Sequence, residues 1–364
     1  MIRYLVALLA VADGFSYVGY LPEWRYEGAN FVTLSEHLSH LILFSAEPTA
    51  DGKITGLDRF PRQELLAEAR AAATASGCKL MLCFGGNGRS SGFSAMVRNK
   101  YKRGKFVAAT LELLRSTGAD GVDINWEYPG YEFGRGYLAE AEVEKDYKGL
   151  ALLVSELRAA LGAGRPLTAA YYPDGRQEAL FLKHGIHKDV DLMHAMTYDA
   201  SGGHHSPMSL AQDAISKARS AGLPLEKVTI GLPFYGRSTA SGDWTTYEDL
   251  VQRHHPLDPA LDILPLPGGK ATDSIGFNGR ETIAAKTRFA VEQGAGGVMV
   301  WEAGQDCRMV AVTHGATTHK VTCPAGRESS LLVRPPRSLL TGHLPSPTHT
   351  LPTPYPFPYS GCYA

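Results

Sequence analysis

An α/β chain closed into a (β/α)8 barrel is the fold this sequence predicts, and three observations predict it. Eight short apolar runs recur along the chain, and stretches with the helical period separate several of them. In addition, 364 residues of 44% hydrophobic composition suffice for one such barrel around a large core. The runs are FSYVGYL (15–21), HLILFS (40–45), KLMLCFGG (79–86), GVDINWEY (121–128), PLTAAYY (166–172), VDLMHAMTY (190–198), KVTIGLPFY (227–235) and GGVMVW (296–301). Helical patterns fall at 63–75, 105–116, 142–161, 210–221 and 280–292, each with apolar residues near the 3.6 period. Strands that are apolar on both faces and alternate with helices belong to a covered parallel sheet. Eight units favour closure over an open doubly wound sheet. No GxGxxG follows the first strand and no P-loop pattern occurs, so the dinucleotide alternative lacks its motif.

In such barrels the chemistry sits where the strands end. Taken in order, the ends offer Tyr20 and Trp24, then Glu47, then Gly85 and Gly86. The fourth run, DGVDINWEYPG (120–130), carries Asp120, Asp123, Asn125, Glu127 and Tyr128. Tyr171 and Tyr172 end the fifth run, Met196, Tyr198 and Asp199 the sixth, Tyr235 and Arg237 the seventh, Trp301 and Glu302 the eighth. Strand side chains alternate faces, so Asp123, Asn125 and Glu127 share one face while Val122, Ile124 and Trp126 share the other. A polar row entering a buried sheet is costly unless its members satisfy one another or a ligand, which makes it a candidate site. The plainer alternative is a solvated edge strand. Each aromatic taken singly reads as packing; several converging on carboxylates suit the apolar faces and polar rims of sugar rings.

Charge and composition narrow the partners. The net charge is −1 with basic residues dispersed, which gives neither a nucleic-acid footprint nor a polybasic membrane contact. No apolar run reaches membrane-spanning length. The start, MIRYLVALLAVADG, reads either as a short secretory signal over residues 1–12, which implies an extracellular protein, or as a misassigned start. Five cysteines are too few for a disulfide scaffold; Cys307 and Cys323 could bridge a loop after the barrel, and Cys83 reads as a buried thiol. The histidine doublets at 204–205 and 254–255 read as loops, so neither a metal nor another cofactor is expected. The barrel is expected over residues 13–331. Residues 332–364, rich in Pro, Thr and Tyr without apolar periodicity, are expected to be disordered or polyproline-like.

Five collinear motifs carry a family resemblance. DGVDINWEYPG resembles the DxxDxDxE motif of glycoside hydrolase family 18, the chitinases and chitinase-like proteins; CFGG is similar to its SxGG, MTYD to its MxYD, GLPFYGR to its GxPxYGR, and GGVMVWEAGQD to its eighth-strand ending. The resemblance spans about residues 15–330 and implies a monomeric TIM barrel that binds chitin or chito-oligosaccharides. It also implies retaining hydrolysis in which the substrate's own N-acetyl group replaces the enzyme nucleophile. On this pattern Glu127 is the general acid and base, and Tyr198 bonds the acetamido oxygen with Asp199 beside it. Asp120 and Asp123 are the inner carboxylates, near Tyr20 and Cys83. Trp301 floors the sugar site, Tyr235 and Arg237 shape its rim, Gly86 and Tyr128 border it, and Met196 packs beneath the sugar.

The departures matter as much. Asn125 stands where the family carries the Asp that stabilises the cationic intermediate, Cys83 replaces Ser, and Asn87 follows the GG where many relatives carry Trp. About forty residues separate GLPFYGR from FNGRETI, too few for the α+β insertion domain of many processive members. A shallow, open cleft is therefore expected, with Trp24 or Trp244 stacking on the aglycone side. Retention of Glu127 favours an enzyme of reduced turnover over a chitinase-like lectin. Chitin, its oligomers and N-glycans remain alternative substrates.

Overall fold

The computed structural model describes residues 14–201, 203–254, 256–266, 270, 273–306, 309–312, 318–321 and 330–332. The expected leader, the Cys307–Cys323 bridge and the tail beyond Leu332 lie outside these residues. Eight parallel strands, β1 (Ser16–Pro22), β2 (His40–Pro48), β3 (Lys79–Gly85), β4 (Gly121–Asn125), β5 (Leu167–Tyr171), β6 (Leu192–Ala195), β7 (Val228–Pro233) and β8 (Gly297–Trp301), pair in the ring order β1-β8-β7-β6-β5-β4-β3-β2. Pairing of β1 with both β8 and β2 closes the barrel. Each expected strand is present. Helices α1 (Phe31–His37), α2 (Gln63–Ser76), α3 (Lys100–Thr117), α4 (Glu140–Leu161), α5 (Arg176–Lys183), α6 (Met208–Ala221) and α7 (Arg280–Glu292) follow the first seven strands.

Local chemistry explains the helix starts. Asn30 caps α1 by accepting from Thr33 N–H, and Asn99 caps α3 by accepting from Tyr101 and Lys102 N–H. The Asn99 cap is why α3 begins five residues before the expected 105. Helices α1 and α5 escaped the periodicity reading because seven or eight residues complete too few turns for a period to emerge.

Alternation along the strands divides the core into two layers. Outward residues such as Leu41, Leu82, Val122, Ile124 and Val298 pack under the helices. Inward residues such as Val18, Ile42, Met81, Leu192 and Met299 fill the barrel. Val122, Ile124 and Trp126 belong to the outer layer, with Trp126 stacked on Phe93 at 5.1 Å, which leaves Asp123 and Asn125 facing inward as the alternation requires.

Between β7 and α7 the described residues form no separate compact unit, but they are not a loop either. Tyr235–Ser238, Trp244–Thr246, Ile263–Pro265 and Ser274–Gly276 form a small antiparallel sheet, with Tyr247–Arg253 as a short helix. The sheet widens the rim over β7.

Among the described residues no α-helix follows β8, only the single 3-10 turn Ala303–Gln305. Ser330–Leu332 lie instead against the outer faces of β1, β7 and β8, where Leu331 and Leu332 join Tyr17, Leu38, Leu232 and Val300 in lining an apolar groove. Leu331 is 2% exposed, and Asp306 holds the segment by accepting from Leu331 N–H at 2.8 Å and Ser330 Oγ at 2.5 Å. Replacing Leu331 with Asp removes a buried side chain and puts a charge in its place. The variant should lose about 2 to 4 kcal/mol of stability in urea unfolding.

Candidate active site

Register builds the inner site. β3 and β5 flank β4, with Cys83 opposite Asp123 on one side and Thr168 opposite it on the other. Residues in register share a face, so all three point into the barrel. Asp123 is fully buried and accepts hydrogen bonds from Tyr20 Oη at 2.8 Å and Thr168 Oγ1 at 2.7 Å. Burial pushes its carboxyl up, and the hydrogen bonds from Thr168, Tyr20 and Cys83 oppose that rise. Burial and the Asp123 charge push the Cys83 thiol well above its usual value, so it stays a neutral donor. His194, also fully buried, lies 3.8 Å from Asp123 and bonds Thr229; burial lowers it to about 3, so the imidazole is neutral. The sequence motifs gave no hint of Thr168 or His194, because each looks like an ordinary polar residue inside an apolar run.

Two residues above, Asn125 is 3% exposed, and its Oδ1 is buried without a hydrogen-bond partner. Gly86 reaches the same strand through its backbone, donating to Asn125 O at 2.6 Å. At φ 105° and with its missing Cβ only 2.3 Å from the Phe44 ring, this position takes no other residue without displacement. Gly86 therefore sets the approach of β3 to β4 and is not one of the cleft-lining residues.

Glu127 tops the row. Its carboxyl is pushed up to about 7 by burial first, with the Asp199 charge adding to the rise. A hydrogen bond from the Asn125 side chain and one from Asn87 N–H pull the other way. Its own N–H donates to Ser90 Oγ at 3.1 Å, which fixes the start of the loop after β4. A carboxyl that is half protonated near neutrality beside an open cleft can both give and take a proton.

The cleft around Glu127 is lined by the expected Tyr20, Trp24, Asn125 and Tyr128, and on the far strands by Met196, Tyr198, Asp199 and Trp301. Phe44, Asn87, Arg89, Tyr172 and Trp244 line it as well. Trp301 forms part of the floor, its ring 4.7 Å from Phe44 and 5.6 Å from Tyr20. Tyr198 fits because Gly231 on β7 leaves room: a Cβ there would lie 2.8 Å from the Tyr198 ring. Its hydroxyl points at Met299 Sδ, 3.7 Å away.

Tyr235 and Arg237 act through Asp199 and do not line the cleft. Tyr235 Oη donates to Asp199 Oδ1 at 2.9 Å and Arg237 Nη1 at 3.0 Å. Burial works against the Asp199 carboxylate, but His205, Tyr235 and Arg237 outweigh it and hold it below the usual range. Tyr235 also stacks on Trp244 at 4.1 Å with the rings nearly parallel, which fixes that half-exposed indole on the rim. Across the cleft Arg89 binds Glu23 and Ser45 and lies 5.2 Å above the Phe44 ring.

Asp120 is the exception. It precedes β4 at the opposite end of the strand, where its Oδ2 accepts from Leu80 N–H at 2.9 Å and its own N–H donates to Leu80 O. The expectation of an inner carboxylate therefore fails for Asp120: the five residues of β4 separate it from Glu127's end of the barrel, and it pins β3 to β4 at the far end. No group of three or more His, Cys, Asp or Glu side chains with metal-holding geometry occurs among the described residues.

Comparison with known proteins gives the family. The profile of the glycosyl hydrolases family 18 matches residues 16–306. Chitinase 2 of Yersinia entomophaga is 27% identical over 317 residues, covering 68% of this chain and 49% of that protein. Probable chitinase 2 of Drosophila melanogaster is 31% identical over 185 residues, 44% of this chain and 35% of its own. The chain thus spans about half or less of the length of these relatives. Among solved structures, a chitinase from Bacteroides thetaiotaomicron superposes with a TM-score of 0.67 at 20% identity, covering 87% of this chain and 94% of its own, which shows the shared fold. With the profile spanning every barrel strand and the polar row of β4, the chain belongs to glycosyl hydrolase family 18.

Proposed function

We propose that the chain is a glycosidase that cleaves β-1,4-linked N-acetylglucosamine chains, chitin or its oligomers, by a substrate-assisted retaining mechanism with Glu127 as acid and base. The observation that carries this reading is the Glu127 carboxyl, pushed up to about 7 at the wall of an aromatic cleft. The chitinase names of the relatives support the substrate class. A formal net charge of −1 suits an uncharged polymer as substrate.

The sugar whose bond breaks rests on Trp301. Its acetamido carbonyl oxygen attacks C1 as the C1–O bond to the leaving sugar breaks, and Glu127 gives its proton to the departing oxygen. The resulting oxazolinium is opened by water at C1. Glu127, now a carboxylate, takes the water's proton and is ready for the next turn. Tyr198 bonds the acetamido oxygen, and the unpartnered Asn125 Oδ1 accepts from the acetamido N–H. What the amide cannot supply is negative charge beside the cation.

That missing charge sets the expected rate. A charge-assisted contact realised only in the transition state is worth about 2 to 4 kcal/mol, or roughly 10² to 10³ in rate. On a chito-oligosaccharide, Asn125→Asp should therefore raise kcat by about that factor. A new carboxylate beside Glu127 also disfavours its ionisation, so the alkaline limb of the variant's kcat/KM profile should move to higher pH. An unchanged kcat sinks the charge account.

Glu127→Gln should bind oligomers and release no new reducing ends. It should also change the pH dependence of folding. The fold keeps the Glu127 proton up to about 7 against an ordinary value of 4.5, so the stability from its neutral form is full below 4.5 and is lost as pH rises through 7. The amide suffers no such loss and should gain about 2 to 3 kcal/mol on the native protein between pH 4 and pH 8, read from denaturant midpoints.

Asn125 also favours a second reading, a chitinase-like lectin that binds without turnover. Oligomer binding with no reducing-end release over long incubation selects the lectin; any release that Glu127→Gln abolishes selects the enzyme.

A further inference from the structure

The loop after β4 carries a feature that the reaction at Glu127 does not use. Tyr131–Glu132 and Gly136–Tyr137 pair as a short antiparallel hairpin, and the turn between them presents Phe133 with 58% of its surface exposed. The hairpin is held from its base. Tyr137 Oη donates to Asp174 at 2.5 Å, Arg176 lies 4.2 Å over the Tyr137 ring, and Leu138 N–H donates to Gly130 O at 2.8 Å. Arg135 N–H closes the turn on Glu132 O, with Gly134 at φ 81°. The anchoring contacts engage Tyr137, while the Phe133 ring rests edge-on against Tyr131 at 5.6 Å and keeps more than half of its surface in solvent.

A lone exposed aromatic would need no explanation, but this one is continuous with the cleft. Phe133 lies 5.8 Å from the Tyr128 ring, and Tyr128 lies 6.2 Å from Tyr172; both tyrosines line the cleft. Position in the ring gives the direction. β4 and β8 are four strands apart in a closed ring of eight, so the hairpin rises from the rim opposite Trp301. A chain whose reacting sugar lies on Trp301, with its scissile bond at Glu127, continues toward Tyr128, Tyr172 and then Phe133.

We propose that Phe133 is a stacking platform for a distal N-acetylglucosamine ring on the leaving-group side, an outer subsite that lengthens the cleft beyond the bond being cleaved. This rests on the substrate class proposed above. The apolar face of a β-linked pyranose matches an exposed phenyl ring, and a ring presented by an anchored hairpin loses little freedom on binding. The subsite also offsets the position after Gly86, where Asn87 offers an amide and no ring. Selectivity for chain length follows: an oligomer long enough to pass Tyr172 gains the contact and a shorter one does not.

The test compares trimer and hexamer of β-1,4-linked N-acetylglucosamine by calorimetry on the full chain, with native Phe133, Phe133→Ala and Phe133→Trp each carried on Glu127→Gln so that no oligomer is cleaved during the titration. Phe133→Ala should weaken hexamer binding about tenfold, leave trimer binding unchanged, and be rescued by Phe133→Trp. Equal hexamer affinity with native Phe133 and with Phe133→Ala overturns the subsite, as does an equal loss on both oligomers. Failure of the protein with native Phe133 to bind either oligomer overturns the substrate class itself, a different outcome from either.

Discussion

Asp123 lies fully buried inside the barrel, where a carboxylate without donors would be too costly to keep, and the strands around it are arranged to supply them. Tyr20 comes from β1 and Thr168 from β5, at 2.8 and 2.7 Å. Neither donor reaches Asp123 unless β4 keeps its register with β3 and β5 and the ring closes through β1. Satisfying this one group therefore ties the closure of the fold to the geometry of the cleft. The neutral imidazole of His194 and the neutral thiol of Cys83 keep further charge out of that space.

The rest of the row inherits its properties from that placement. Moving outward along β4, the groups pass from a buried carboxyl to a buried amide to a carboxyl at the cleft wall. Burial is the largest influence on Glu127, and the Asp199 charge reinforces it, while Asn125 and Asn87 act in the opposite direction. Burial wins, which is why the carboxyl is pushed up to about 7 even with a neutral neighbour. Asp199 behaves oppositely because it is less deeply buried and His205, Tyr235 and Arg237 together outweigh the effect of that burial. Two carboxyls facing one cleft are thus pushed apart, one toward the proton and one away from it, the pattern that separates acid and anion roles in a site.

The barrel was legible in the sequence because each strand is a short apolar run, and the fourth showed its inward face by strict alternation. The motifs located Tyr198, Asp199 and Trp301 at the mouth, since a strand end in a barrel has only one place to be. Asp120 was misplaced because motif spacing says nothing about which end of a strand a residue occupies; the strand starts at Gly121, so Asp120 belongs to the far end. Tyr235 and Arg237 were expected at the rim and instead grip Asp199, a relation set by the antiparallel sheet after β7, which short strands and loops conceal from any periodicity. Thr168, His194 and Arg89 were invisible for the same reason: their hydrogen-bond partners are 35 to 66 residues away in sequence, brought together only by register and barrel closure.

The central claim is that burial at the barrel mouth, more than any neighbouring charge, holds the proton on Glu127 to near neutrality. Carbon-13 labelling of the glutamate carboxyls, with the Glu127 resonance assigned by its loss in Glu127→Gln, measures that titration directly in the unliganded protein. A midpoint near 7 is the expected result. A midpoint near the ordinary 4.5 would contradict the account, because a carboxylate ionised throughout the neutral range has no proton to give.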